Sequence, residues 1–149
     1  MNKIKAKESL QSKDIIRLKQ VTKKDMEFLY EFLKEREPNE NISHKKIPTF
    51  NEHKKFVLSK PYQKWYIVLL NNEKIGTIYL SIINEIGLHF KKKYQTNILR
   101  NKVLHELIEK NQKNRYLVNI NPRNKSLISF YKSKKFKKIQ HTYELIKRV

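Results

Sequence analysis

Three stretches of this chain hold side chains of types that can do chemistry. They are Glu85-Ile-Gly-Leu-His-Phe90, Tyr94-Gln-Thr-Asn-Ile-Leu-Arg-Asn-Lys-Val-Leu104 and Asn119-Ile-Asn-Pro-Arg-Asn-Lys-Ser-Leu-Ile-Ser-Phe-Tyr-Lys-Ser-Lys-Lys-Phe136. The first offers a carboxylate, Glu85, which on its own reads as a strand-edge acid answering nearby lysines. The third offers a phenol, Tyr131, which on its own reads as a core side chain with its hydroxyl at the rim. Other catalytic kits are missing: there is no H-E-x-x-H and no G-x-S-x-G. The five histidines, at 44, 53, 89, 105 and 141, never fall at i, i+3 or i, i+4, so no metal site is expected. Without cysteine there are no disulfides, Cys-type zinc sites, iron–sulfur clusters or thiol nucleophiles. Gly76 and Gly87 are the only glycines, which excludes both a Walker loop and a G-x-G-x-x-G fingerprint.

The elements that would position these residues follow from periodicity and caps. Residues 1–13 are polar, Lys-rich and aperiodic, and read as a tail preceding one domain over 14–149. Ile15–Val21 alternates as a strand. Thr22 with Asp25 opens a helix whose apolar stripe is Met26, Leu29, Tyr30 and Leu33, with Pro38 as its stop. Asn39–Pro48 is a polar loop. Thr49 and Glu52 form a second capping box for a helix to Ser59, with Phe56 and Val57 expected inward. Lys64–Leu70, Lys74–Ile83 and Glu85–Phe90 read as an antiparallel meander with a turn at Asn71-Asn72. Asn97–Lys110 carries apolar positions 99, 103, 104, 107 and 108 at helical spacing. Arg115–Ile120 reads as a strand, Asn124 caps a helix over Lys125–Lys134, and Phe136–Arg148 as a last strand. This order predicts an α+β fold with about four helices on a mostly antiparallel sheet of about six strands.

At 149 residues the chain is long enough for one well-buried core. Its longest apolar run, Trp65–Leu70, is too short to span a bilayer, and its start has no apolar signal-peptide region. A cytoplasmic protein without a membrane partner is the expectation. The formal charge of +20 favours polyanions. It comes, however, from 28 Lys and only 6 Arg spread along the chain, the signature of an A/T-rich coding bias as much as of a nucleic-acid surface. An anionic small molecule fits the charge equally well.

The third stretch resembles the GNAT superfamily of acetyl-CoA-dependent N-acetyltransferases. There the motif runs Asn-x-x-(Ser/Ala)-Ile-x-Phe-Tyr-x-x-x-Gly-Phe, and Asn124, Ile128, Phe130, Tyr131 and Phe136 match it. Lys135 stands in place of its glycine. The element order agrees from about Ile15 to Leu145. The resemblance implies acetyl-CoA as co-substrate and no metal. It implies that Tyr131 protonates the departing CoA thiolate, that Asn124 meets the pantetheine arm, and that Glu85 draws the proton from the acceptor ammonium, commonly through water. It also implies that the strand at Glu85–Phe90 splays from the strand at Arg115–Ile120 to admit the pantetheine beside Leu88, His89 and Phe90. The pyrophosphate would lie on Gln95, Thr96, Asn97, Ile98, Leu99 and Arg100. In the family that loop is glycine-rich; here Thr96, Ile98 and Arg100 occupy the glycine positions, and an Ile98 held at positive φ would be strained. Either charge from Arg100, Lys102 and Lys91–Lys93 replaces the glycine nest, or the protein is a non-catalytic relative.

For the acceptor, the resemblance points to the first two helices and their loop, with Tyr30, Ser43, His44, Trp65 and Tyr66 as candidates. Phe50-Asn-Glu-His53 is similar to a helix of GNAT enzymes acting on nucleotide-linked amino sugars. The primary amine of a small molecule is the expected acceptor class, with a protein N-terminus and an antibiotic amine also open, whereas polyamines would be repelled by the charge. Three readings stand: an N-acetyltransferase, monomeric or homodimeric; a binding or scaffold protein of this fold without catalysis; and a nucleic-acid-binding protein on the same fold.

Overall fold

The computed structural model describes residues 10–36 and 46–147. Most of the polar tail, and the loop holding Ser43 and His44, lie outside the described residues. Five strands form one sheet in the order β1-β2-β3-β4-β5: Ile16–Gln20, Lys64–Leu70, Glu73–Leu80, Glu85–Phe90 and Leu117–Val118. All pairings are antiparallel except β4–β5, which is parallel. Between β1 and β2 come helices α1 (Met26–Lys34) and α2 (Phe50–Leu58). Helix α3 (Asn97–Lys110) crosses from β4 to β5, as a parallel pair requires, and α4 (Lys125–Ser133) follows.

Local chemistry accounts for the elements. The Thr22 backbone N–H donates to Asp25 Oδ2 at 2.8 Å while the Thr22 side chain accepts from the Lys24 N–H, closing the capping box in a 3-10 turn that runs into α1. Thr49 Oγ1 accepts from the Glu52 N–H at 3.2 Å and starts α2. Asn71 and Asn72 both take positive φ, 49° and 70°, as a two-residue hairpin turn between β2 and β3 demands. Both faces of the sheet are covered. Val68, Ile78, Leu80, Ile86, Leu88 and Phe90 pack with Leu99, Val103, Leu104 and Leu107 of α3 and Phe130 and Tyr131 of α4. Ile67 and Leu69 pack with Met26 and Leu29 of α1 and Val57 of α2 on the other side.

Three expectations are corrected. The inward positions of α2 are His53 and Val57; Phe56 is exposed and joins an aromatic group with Tyr62 and Trp65. The strand expected over Arg115–Ile120 pairs only at Leu117–Val118, because the chain beyond turns to wall a cavity. The strand expected over Phe136–Arg148 does not form among the described residues, and the sheet has five strands rather than six. Residues 137–147 have no neighbouring strand to complete their backbone hydrogen bonds, and a lone strand is not stable. No helix among the described residues is long and apolar enough to cross a membrane.

Candidate functional site

The parallel pair β4–β5 is hydrogen-bonded only at its start, with Glu85 opposite Leu117 and Ile86 opposite Val118. Beyond these residues the strands part, and a cavity of about 220 Å³ opens between them. Its walls include Glu85–Phe90 of β4, Val118 at the end of β5 with Asn119–Asn121 after it, and Gln95, Arg100, Asn124 and Tyr131 from the two helices and their approaches. The alternation of an antiparallel ladder decides what β4 offers to this space. Ser81 N–H donates to the Glu85 carbonyl and Lys91 N–H to the Ile75 carbonyl, so Glu85, Gly87 and His89 turn their backbone groups to β3. Ile86, Leu88 and Phe90 therefore turn theirs the other way. Ile86 meets β5; Leu88 faces the gap; the Phe90 carbonyl accepts from Gln95 Nε2 at 3.2 Å. An extended amide ligand laid in the gap would find the hydrogen-bonding edge of a strand.

Helix α4 is held by its own sequence. Asn124 Oδ1 accepts from the Leu127 N–H at 3.2 Å and caps the start. At the other end Phe136 N–H donates to the Tyr131 carbonyl and Lys135 N–H to the Lys132 carbonyl, with Lys135 at φ 70°. This is the Schellman arrangement, and its apolar contact is the Phe136 ring 5.0 Å from that of Tyr131. Glycine is suited to the left-handed position; Lys135 adopts it with a Cβ, at a cost of about 1 kcal/mol. The Phe-Tyr-x-x-x-Gly-Phe pattern is thus a helix terminator that fixes Tyr131. That side chain is buried, touches Phe130 and Phe136, and presents to the cavity a hydroxyl with no hydrogen bond among the described residues. Burial pushes its phenol well above the usual value; the Arg100 guanidinium works against this and Tyr79 adds to it.

The glycine-depleted stretch runs straight into the helix predicted from Asn97. Thr96 caps α3 by accepting from the Leu99 N–H, and none of Thr96, Asn97, Ile98 or Arg100 has positive φ. The strain that a positive φ would bring at Ile98 does not arise, because the residue is helical, and its side chain is exposed. Leu99 points into the core. Arg100, in the first turn of the helix predicted over Asn97–Lys110, is only 6% exposed. Its Nη1 donates to Asn97 Oδ1 and Ser126 Oγ, both at 2.9 Å, which ties the start of α3 to the start of α4 at the cavity wall. Gln95 and Arg100 thus line the cavity, and Thr96, Asn97, Ile98 and Leu99 do not.

The opposite face of β4 was less legible. Glu85, Gly87 and His89 project there, on the side of α1 and α2. Gly87 pairs with Tyr79, and a Cβ at position 87 would fall on the Tyr79 ring. The missing side chain lets that ring lie across β4, where Tyr62 stacks on it at 3.8 Å. Burial and the neighbouring Arg36 charge hold the His89 imidazole far below its usual range, at about 3. Burial raises the Tyr79 phenol, and Arg36 opposes that too. Sequence reading missed Tyr79, Tyr62 and Arg36; the available signal was a glycine inside a strand, which marks a close approach.

The described acceptor candidates are not at the cavity. Tyr30 Oη donates to the Pro48 carbonyl, and its ring packs on Phe50 and His53. Trp65 packs on Phe56 and Tyr62. Tyr66 is buried on the α3 side of the sheet, where its hydroxyl accepts from Asn111 Nδ2, because strand alternation sends it away from its neighbour Trp65. No cluster of His, Asp and Glu among the described residues could hold a metal ion.

No family model and no curated protein sequence matches this chain. Its fold, however, is found in solved structures. A domain from Methanocaldococcus jannaschii superposes with a TM-score of 0.66 at 25% identity, over 90% of this chain and 94% of that one. A predicted acetyltransferase from Clostridium acetobutylicum, with acetyl-CoA, gives 0.63 at 16% identity, over 89% and 96%. An aminoglycoside acetyltransferase in complex with coenzyme A gives 0.59 at 22% identity, over 83% and 84%. The open five-stranded sheet, the parted parallel strands and the capped helix carrying Tyr131 together give this chain the fold of the GNAT N-acetyltransferases.

Proposed function

We propose that the protein is an N-acetyltransferase that moves an acetyl group from acetyl-CoA to the primary amine of a small molecule. The observation that carries this reading is the opening between β4 and β5, which brings Glu85, the free edge at Leu88, Asn124 and Tyr131 to one cavity. The pantetheine arm lies along Leu88–Phe90 beside Asn124, and the pyrophosphate near Gln95 and the start of α3, with Arg100 supplying charge from the wall. Glu85 takes a proton from the acceptor ammonium through water. The freed amine attacks the thioester carbonyl carbon, the C–S bond breaks, the phenol of Tyr131 gives its proton to the thiolate, and the second proton shed by the nitrogen as the amide forms restores the phenol through solvent. A phenol is protonated at neutral pH without help, and the burial that raises Tyr131 further makes it a weaker acid, so the transfer relies on the thiolate developing beside it in the same desolvated cavity. Tyr131 serves the thiolate from the α4 side; Glu85, His89 and Tyr79 meet the acceptor from the α1–α2 side.

For the acceptor, the charge of +20 favours an amine that also carries an anionic group, such as a nucleotide-linked amino sugar. Titration calorimetry with acetyl-CoA and CoA tests the cofactor, and release of free thiol with a panel of amines tests the transfer. Binding of both with turnover on an anionic amine is the expected result. No heat with millimolar CoA at low salt would overturn the reading and leave a GNAT-fold binding protein.

A further inference from the structure

We propose that the acceptor is a zwitterion: besides the amine that Glu85 deprotonates it carries a compact anionic group, a carboxylate or a phosphate, and Arg36 receives that group. The inference rests on the acetyltransferase reading and names the acceptor that its polar wall selects. The first observation is the layout of that wall. On the α1–α2 face the strand registers set Trp65 beside Tyr79 and Tyr79 beside Gly87, with Ile67, Thr77 and His89 in the next row. Glu85 lies two residues before Gly87 and His89 two after it, about 7 Å to either side along the strand. The Tyr79 ring crosses the middle, where Gly87 makes room, and Glu85, Tyr79 and His89 all line the main cavity.

The second observation puts a cation at the far end of the wall. Arg36, just after α1, lines a smaller cavity of about 50 Å³. His89, Phe90 and Gln95 line both cavities, so the two spaces adjoin at His89. The charged residues of the smaller lining are Glu35 on one side of the balance and Arg36, Lys91 and Lys92 on the other. Burial shifts the Tyr62 and Tyr79 phenols upward and the His89 imidazole downward; the Arg36 charge opposes the first two shifts and adds to the third. Glu85 acts on the Tyr79 phenol in the opposite sense to Arg36. Tyr79 therefore stands between a carboxylate and a guanidinium.

The third observation is the type of cation. Lysine outnumbers arginine 28 to 6 in this chain, so a coding bias toward lysine does not account for an arginine here. A guanidinium holds five donors in a rigid fork that matches carboxylate and phosphate oxygens in pairs, and it can take such a group while keeping another partner. His89, neutral at pH 7, adds hydrogen bonding beside it without adding charge. Opposite charges at the two ends of one wall suit a molecule whose own charges run the other way, with its ammonium at Glu85 and its anion toward Arg36. A polyamine would instead bring a second cation to the guanidinium.

The test is thiol release from acetyl-CoA with three amines of similar length: propylamine, 3-aminopropanoate and 2-aminoethyl phosphate. In kcat/KM the wild type is expected to prefer an anionic amine over propylamine by about 10–100-fold, the worth of a charge-assisted hydrogen bond. Which of the two anionic amines leads tells carboxylate from phosphate. Arg36→Gln is expected to bring that preference down at least about tenfold, and Arg36→Lys, which keeps the charge and loses the fork, to bring it down less. Far-UV circular dichroism confirms that both variants fold. A wild type without the preference, or a folded Arg36→Gln that keeps it, would overturn the proposal. Calorimetry with CoA on the same variants separates the cofactor: a loss of CoA affinity as large as the lost preference would assign Arg36 to CoA and overturn it too. If no amine is acetylated, the transferase reading fails by itself, and calorimetry with the same three amines decides the subsite. Binding of an anionic amine to wild type that Arg36→Gln abolishes would uphold the zwitterion site without transfer; no such difference would overturn it.

Discussion

The two sides of β4 around the cavity are built on different physical terms. Toward α3 and α4 the wall is an apolar core with capped helices let into it: Leu88 and Phe90 from the strand, Phe130 and Tyr131 from α4, Arg100 bridging two helix starts. Toward α1 and α2 the wall is polar and aromatic: Glu85 and His89, with Tyr79 lying over Gly87 and Tyr62 stacked behind it. The first side fixes its groups by helix termination and close packing, which suits a step common to every acceptor. The second gathers side chains from separate loops and strands, which suits recognition of one particular acceptor. If that division holds, changes on one side should move kcat or CoA affinity, and changes on the other should move the acceptor KM.

The largest effect is expected from Tyr131→Phe. Phenylalanine keeps the ring contacts with Phe130 and Phe136 and loses only the proton donor. Turnover should fall by about 10²–10⁴-fold with CoA affinity nearly unchanged, read by steady-state kinetics beside calorimetry. Comparable turnover in the two proteins would remove Tyr131 from the mechanism. Arg100→Ala comes next. It should weaken CoA by about 1.5–3 kcal/mol, measured by calorimetry. Because Arg100 is buried, its share should resist salt, and the salt-sensitive part of binding should follow the lysines at 91–93 instead.

The α4 side was open to sequence reading and the other side was not, for a reason visible in particular residues. Asn124, Tyr131 and Phe136 lie within thirteen positions, on one helix with its cap and its terminator, so local chemistry writes them as a motif. Glu85 and Leu88–Phe90 were reached because a strand and its crossover helix are also local. Arg36, Tyr62 and Tyr79 come from three distant segments and meet only through the β3–β4 register. The element order was legible up to α4 for the same reason as the motif: caps at Thr22, Thr49 and Asn124 announce three helices, and apolar spacing announces the fourth. The last strand failed because alternation shows that a segment can be a strand and is silent on which edge it joins.

Gly87→Ala probes the acceptor side. The new Cβ would meet the Tyr79 ring, which is pinned by Tyr62 and cannot yield without breaking their stack. A stability loss of about 1–3 kcal/mol is expected from overpacking, seen in a thermal melt. The acceptor KM should rise while CoA affinity stays put, and Tyr79→Ala in the same chain should restore stability in part. A change in CoA affinity as large as that in KM would show the two sides to be one unit. The same side should also govern acid sensitivity. His89 titrates near 3 in the fold and near 6.5 unfolded, so the unfolded chain binds the extra proton between those values. Stability therefore falls as pH drops below about 6.5. His89→Gln should flatten that slope in urea titrations run at several pH values.

The smallest expected effect lies on the α4 side. Lys135 holds the left-handed position that ends α4, at φ 70°, with its N–H on the Lys132 carbonyl. Lys135→Gly removes the crowding of a Cβ there and gives back part of the gain by loosening the unfolded chain. The net should be a stabilisation of about 0.5–1 kcal/mol, measurable as a rise in the urea midpoint at constant slope. Because the terminator also seats Phe136 on Tyr131, the change should leave kcat and the acceptor KM where they were. A loss of activity would mean that the lysine side chain, and not the turn it occupies, acts on the cavity. That would add a second charged group, beside Arg100, to a side otherwise held by packing and helix termination.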